Sequence, residues 1–193
     1  MNFRSARFVK SASKSSERPE KGYKEILFVG RSNVGKSSLI NALCDNKSLV
    51  FTSSKPGHTR LLNYFEIPES CYLVDAPGYG YSSAGKAHAL AFGSMMEEYF
   101  IHCPSLALVV FLLDSRREPN ADDVDFYEML LQYHLPFCIV LTKCDKLNQK
   151  EKALCKKRME QAFPAFPYAS MMPVSILKKD SIERLKQTIE QHL

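Results

Sequence analysis

The sequence predicts an α/β fold in three layers, a mostly parallel sheet of six strands with helices on both faces. Short apolar runs alternate with stretches of helical periodicity, and a glycine-rich turn joins the first main apolar run to the first helical stretch. The length agrees, because 193 residues with 45% hydrophobic content fill one core and are short for two.

Taken in order, the apolar runs 26–29, 71–74, 106–113, 137–141 and 171–174 read as parallel strands. Helical candidates lie at 36–44, 86–102, 121–134, 148–162 and 180–192. The stretch 61–67, LLNYFEI, alternates and runs through Pro68 into the next strand, which predicts an antiparallel hairpin partner at the sheet edge. Residues 1–24 are basic, serine-rich and aperiodic. They predict a flexible arm pinned by Phe3 and Phe8, so the organisation expected is an arm over 1–22 and one domain over 23–193. The first sixteen residues contain no acid, which also suits a mitochondrial transit peptide. A first strand starting near Glu25 leaves little room for a leader and its cleavage site.

The net charge is +5, and the first 24 residues account for it with seven Lys/Arg against Glu17 and Glu20. A second basic cluster at 146–160 holds six Lys/Arg against two Glu, either a solvated helix face or a nucleic-acid contact. Six cysteines stand singly, without zinc-ligand spacing, and read as reduced thiols. No apolar run approaches the roughly 18 residues of a membrane span. A cytoplasmic protein is expected, without membrane contact.

Gly30-Arg31-Ser32-Asn33-Val34-Gly35-Lys36-Ser37 fits the pattern GxxxxGK[ST] between a strand and a helix. In such a loop backbone N–H groups converge on phosphate oxygens and the helix amino terminus adds partial positive charge. Lys36 would neutralise the terminal phosphates, the Ser37 hydroxyl would coordinate magnesium, and Ser38 beside it would join the nucleotide contacts. Asp75-Ala76-Pro77-Gly78 ends a strand, as suits a carboxylate that orders magnesium through water and a glycine N–H that meets the terminal phosphate. A second magnesium hydroxyl is assigned to Thr59, within Gly57-His58-Thr59-Arg60-Leu61.

The base is addressed by Thr142-Lys143-Cys144-Asp145. The Asp145 carboxylate could accept from the ring NH and the exocyclic amine of guanine, a donor pair that adenine lacks. Lys143 would lie along the base, and backbone N–H groups of Val174-Ser175-Ile176 could meet the guanine carbonyl oxygen.

These stretches, in this order, resemble the five signature motifs of the Ras-like P-loop GTPases. More closely, GRSNVGKSSLINAL, SSKPGHTRLLNYF, VDAPGYGY and VLTKCDKL resemble the EngB family within the TrmE-Era-EngA-EngB group, over residues from about 22 to the end. The resemblance implies strand order 2-3-1-4-5-6, GTP or GDP with Mg2+ as ligands, and a role in assembling the large ribosomal subunit or binding its rRNA, with links to cell division and septation. A monomer is expected. Two positions depart from the wider pattern: Thr142 stands where Asn is usual, and Ile176-Leu177 stands where Ala-Lys is usual.

The position after Gly78, where Ras-like enzymes carry a water-orienting glutamine, is Tyr79, which predicts slow hydrolysis. Lys36, Thr59 and Gly78 are the expected catalytic contacts. Asn33 stands where related GTPases coordinate potassium, with support of the loop as the alternative reading. Tyr79 and Tyr81 either stack on RNA bases or pack on a partner protein, or else pack on their own domain. His58 is exposed or catalytic, and Arg116 and Arg117 brace a loop or touch RNA. The loops 46–60 and 76–90 are expected to order with GTP. A protein-interaction switch in division, without RNA binding, is the alternative function. A small-molecule phosphotransferase is disfavoured, because Asp145 selects guanine and no arginine-rich lid follows the third helix.

Overall fold

The structure, a computed structural model, describes residues 1–50, 61–80, 85–164 and 169–193. Strands β1 (Arg7–Ala12), β2 (Lys24–Gly30), β3 (Leu62–Ile67), β4 (Cys71–Asp75), β5 (Leu106–Asp114), β6 (Phe137–Thr142) and β7 (Ala169–Pro173) form one sheet in the order β1-β3-β4-β2-β5-β6-β7. Helices α1 (Lys36–Leu43), α2 (Gly85–His102), α3 (Ala121–Gln132), α4 (Gln149–Ala162) and α5 (Lys179–Glu190) cover it. Strands β4, β2, β5, β6 and β7 pair in parallel, while β3 runs antiparallel to β4 as the hairpin reading predicts.

The sheet has seven strands where six were expected. The extra one, β1, comes from the segment read as a flexible arm, and it pairs antiparallel with β3 from Arg7↔Glu66 to Ala12↔Leu62. An unpaired β3 would leave a row of main-chain donors and acceptors open, and residues 7–12 close it. Alternation did not betray β1 because its first four residues are all exposed at the sheet edge. Of the two expected pins, Phe3 is buried and Phe8 stays 54% exposed, touching Phe65 only edge-on.

Each sheet face carries its own core. Leu39, Ile40 and Leu43 of α1 pack with Ile182, Leu185 and Ile189 of α5 on one face. Met96 and Tyr99 of α2, Phe126 and Leu130 of α3, and Cys155 and Met159 of α4 fill the other. Near-continuous burial of β2, β5 and β6 follows from cover on both sides. At the end away from the glycine-rich loop, Glu25 is buried but satisfied by Arg18 at 2.6 Å, Tyr99 at 2.6 Å and Ser105 at 3.1 Å. No helix among the described residues is long and apolar enough to cross a membrane.

Candidate functional site

The candidate site lies at the carboxyl ends of β2, β4, β5, β6 and β7, where open parallel sheets place their ligands. The loop after β2 begins at Gly30, where a Cβ would come within 2.7 Å of the Leu112 carbonyl oxygen on β5. It ends at Gly35, whose φ of +109° is left-handed and costly for any side chain. Asn33 also has positive φ, at 64°. The loop is therefore wrapped tightly against the sheet before α1 starts at Lys36, with Ser37 and Ser38 half-buried in the first turn.

Parallel pairing sets Phe28 opposite Asp75, and this register brings the end of β4 beside the loop. The Lys36 ammonium and the Asp75 carboxylate form an ion pair in which both side chains are about nine-tenths buried. Ala76 N–H donates to the Phe28 carbonyl at 3.0 Å and carries the chain on to Gly78. Gly78 packs on the loop so closely that a Cβ would lie 2.9 Å from the Ser32 nitrogen.

Tyr79 is zipped to the loop on both sides, donating from its N–H to the Gly30 carbonyl at 3.3 Å and accepting from the Ser32 N–H at 3.0 Å. Its ring is 3% exposed and packs on Phe92 and Phe126, so it serves its own domain and offers no stacking surface. Its hydroxyl donates to Asp123 Oδ1 at 2.8 Å. Burial, then the Asp123 charge, push the Tyr79 phenol well above its ordinary value, so it stays a neutral donor. Tyr81 lies outside the described residues, as do Gly57, His58, Thr59 and Arg60. Leu61, 37% exposed, leads into β3.

The opposite wall is built by β6 and its continuation. The Thr142 hydroxyl reaches the Val34 carbonyl at 2.7 Å and the Leu113 carbonyl at 3.2 Å. Lys143, at φ 59°, crosses over Gly35 with its Cε 3.9 Å from where a Cβ would stand, and donates to the Asn33 carbonyl at 2.8 Å and to Asp114 at 2.9 Å. Arg116 grips the same Asp114 with two bonds of 2.9 and 2.7 Å, which is the bracing role expected of it, while Arg117 is exposed. Burial works to raise the Asp114 carboxyl, but the hydrogen bonds from Arg116 and Lys143 outweigh it and hold the group well below the usual carboxylate range.

Asp145 presents its carboxylate beside the half-buried Cys144, and its Oδ1 accepts from the Ser175 hydroxyl at 2.8 Å. That bond holds Asp145 in its charged form, below its ordinary value. Val174 N–H donates to the Leu141 carbonyl at 2.9 Å and Ser175 N–H to Ser181 Oγ at 3.1 Å. The base-facing donors expected from this segment therefore narrow to the Ile176 N–H, on a residue 51% exposed.

Three participants escaped sequence reasoning. Asp114 anchors Lys143, Asp123 holds Tyr79, and Ser181 fixes the turn after β7. Only Asp123 carried a local signal, because Asn120-x-x-Asp123 is a capping box in which each side chain meets the other's backbone N–H.

The chain is similar to known proteins along most of its length. Residues 25–143 match the family described as 50S ribosome-binding GTPase. A probable GTP-binding protein EngB of Chlorobaculum parvum is 48% identical over 160 residues, 83% of either chain. One from Mycoplasma capricolum subsp. capricolum is 41% identical over 189 residues, 97% of this chain and 96% of that one. Among solved structures, a probable GTP-binding protein engB superposes with a TM-score of 0.67 at 26% identity, covering 86% of this chain and 97% of that one. Era in complex with MgGDPNP and nucleotides of 16S ribosomal RNA gives 0.64 at 25% identity, over 89% of this chain and 57% of that one.

Proposed function

Because the chain belongs to the EngB family and is a GTP-hydrolysing enzyme, we propose that it works as a slow, nucleotide-driven switch in assembly of the large ribosomal subunit. The convergence of Lys36, Asp75, Lys143 and Asp145 around one glycine-rich loop supports the nucleotide roles. The ribosomal partner is supported by the family description, 50S ribosome-binding GTPase. Links to division and septation, and action in the cytoplasm, belong to the same proposal.

In this proposal Asp145 reads guanine, Ile176 N–H meets its carbonyl oxygen, and the loop N–H groups with Lys36 hold the phosphates. The residues suit a magnesium ion: Asp75 is a buried carboxylate against Lys36, and Ser37 follows in the first turn of α1. When bound, the ion would neutralise phosphate charge, held by Ser37 and, through water, Asp75. Thr59, the second proposed hydroxyl, lies outside the described residues.

Water attacks the terminal phosphorus in line, and Lys36 with the loop N–H groups and that of Gly78 stabilises the charge that develops. Tyr79 does not orient this water, because its hydroxyl is committed to Asp123 in the core. Intrinsic hydrolysis is slow for that reason. Asn33, in left-handed backbone at the loop surface, is the proposed potassium contact. Hydrolysis is then faster in potassium than in sodium at equal ionic strength, and equal rates in both salts for wild type and Asn33→Ala reject the contact.

The test of the whole reading is co-sedimentation with purified large ribosomal subunits in a non-hydrolysable GTP analogue and in GDP. Binding with the analogue alone is expected. No binding in either state, with binding to a purified division protein instead, would favour a switch that has no RNA ligand.

A further inference from the structure

The two basic runs of the chain meet different fates in the fold. In the N-terminal run three of the seven cations reach buried carboxylates, Arg7 and Lys21 at Glu66 and Arg18 at Glu25, while Arg4 makes an exposed pair with Asp45 and Lys10, Lys14 and Lys24 have no ion-pair partner among the described residues. Arg18 also donates to the His102 carbonyl at 2.5 Å and lies over the Tyr99 ring, which clips the segment to the end of α2. This run is a clamp that closes the sheet edge.

Helix α4 keeps its charge outside. Cys155 and Met159 face the core, and at about 3.6 residues per turn Lys150 and Lys157 fall on the opposite face. Within Gln149–Ala162 there are five cations and two acids, and one acid, Glu151, is bound into the capping box by the Asn148 N–H at 2.8 Å. The other, Glu160, is 3.6 Å from Lys156 in a highly exposed pair of little worth. Lys150, Lys152 and Lys157 have no ion-pair partner among the described residues. Helix α5 is the internal control, since it carries three cations and three acids with Lys186 paired to Glu183 at 2.7 Å. A face that need only be solvated interleaves its signs, and α4 does not. The surface continues through Arg158, which reaches Glu118 at 3.2 Å, to the exposed Arg117.

We propose that the outward face of α4, centred on Lys150 and Lys157, docks on an RNA phosphate backbone, and that the N-terminal run does not. The proposal rests on the ribosomal reading above and names the contact surface. RNA suits this face better than protein does. Protein interfaces concentrate aromatic and apolar anchors and deplete lysine at their centre, whereas α4 has no aromatic residue and exposes only Leu154 as a large apolar side chain. A lysine-rich stripe instead displaces counterions from a polyanion, which makes its binding steeply dependent on salt.

The experiment measures binding of the full chain to purified large ribosomal subunits and to a labelled double-stranded RNA, between about 50 and 200 mM salt. Three proteins are compared: wild type, Lys150→Glu with Lys157→Glu, and Lys10→Glu with Lys14→Glu. GDP affinity and the urea midpoint serve as folding controls. The α4 pair is expected to weaken both probes by at least about tenfold and to flatten the salt dependence, while the N-terminal pair stays within about twofold. An α4 pair that binds like wild type, or an N-terminal pair that loses as much, overturns the surface assignment and leaves the ribosomal reading standing. Salt-independent binding to subunits overturns it in favour of a protein contact. Wild type that ignores subunits yet binds RNA through α4 supports the surface and rejects the ribosomal reading.

Discussion

Two segments lean on the phosphate loop from opposite sides, and they are held by different means. Thr142 and Lys143 reach across by side chain to the Val34 and Asn33 carbonyls, so the wall proposed to read the base is tied to the loop by side-chain bonds. Tyr79 meets the loop through main-chain bonds of 3.0 and 3.3 Å and the Gly78 carbonyl accepts from the Ser32 hydroxyl at 3.4 Å, while the Tyr79 hydroxyl is held by Asp123 on α3. The Thr142–Lys143 wall is thus tied to the loop by side chains, while the Gly78–Tyr79 side depends on a short backbone zipper and one tyrosine buried in the core. Such asymmetry suits the proposed switch, in which one wall would keep the ligand while the other reports its state.

The largest effect that would sharpen this contrast comes from Asp145→Ala. Two charge-assisted hydrogen bonds at about 1.5–3 kcal/mol each predict a loss of guanine-nucleotide affinity on the order of a hundred- to ten-thousandfold, read by calorimetry with GDP. A loss under tenfold would show that this wall does not read the base. Next is Gly78→Ala on the other side, where the new methyl would crowd Ser32 at 2.8–2.9 Å. The chain should lose about 1–3 kcal/mol of stability in urea unfolding and most of its GTP hydrolysis. Unchanged stability would mean that the two backbones separate freely.

Tyr79→Phe removes only the hydroxyl and leaves Asp123 Oδ1 without its buried donor. A cost of about 1–2 kcal/mol in unfolding is expected, with GDP affinity within about twofold of wild type. If GDP affinity falls in step with stability, the two walls are not separable. Thr142→Val removes the bond to Val34 and should cost about 1 kcal/mol, seen as a lower melting temperature of the GDP complex. The smallest effect appears only in acid. The Asp114 carboxyl sits below its unfolded value, so its contribution is complete above pH ~4 and fades as pH falls toward its folded value. Wild type should therefore lose stability faster than Asp114→Asn on acidification below pH ~4, and parallel curves would show that Asp114 does not steady Lys143.

Most of the sheet was legible because its strands are buried on both faces and read as unbroken apolar runs, as in LALVVFLLD of β5. The hairpin β3–β4 was legible for a different reason, the alternation of LLNYFEI before Pro68. Strand β1 was hidden because an edge strand with four exposed residues in a row has neither signature, and its pairing is decided by the open flank of β3. The orientation of Tyr79 was equally hidden. An exposed loop tyrosine and a buried one have the same sequence neighbours, and the pocket between Phe92 and Phe126 belongs to other helices.

By itself the sequence determined the class of fold and the residue types proposed to meet the nucleotide, because these follow from local periodicity and from short motifs whose parts are close in the chain, whereas the order of the central strands was implied by the family resemblance those motifs carry. Tertiary structure alone decided which carboxylate anchors Lys143, which N–H of the segment after β7 remains open, and which of two similar basic runs is spent on internal pairs. Those outcomes depend on acids and carbonyls far away in sequence, such as Asp114, Glu25, Glu66 and Ser181, that folding carries to a few ångströms from their partners. Charge and hydrogen-bonding capacity are written in the chain, but whether a partner stands within reach is a property of the fold.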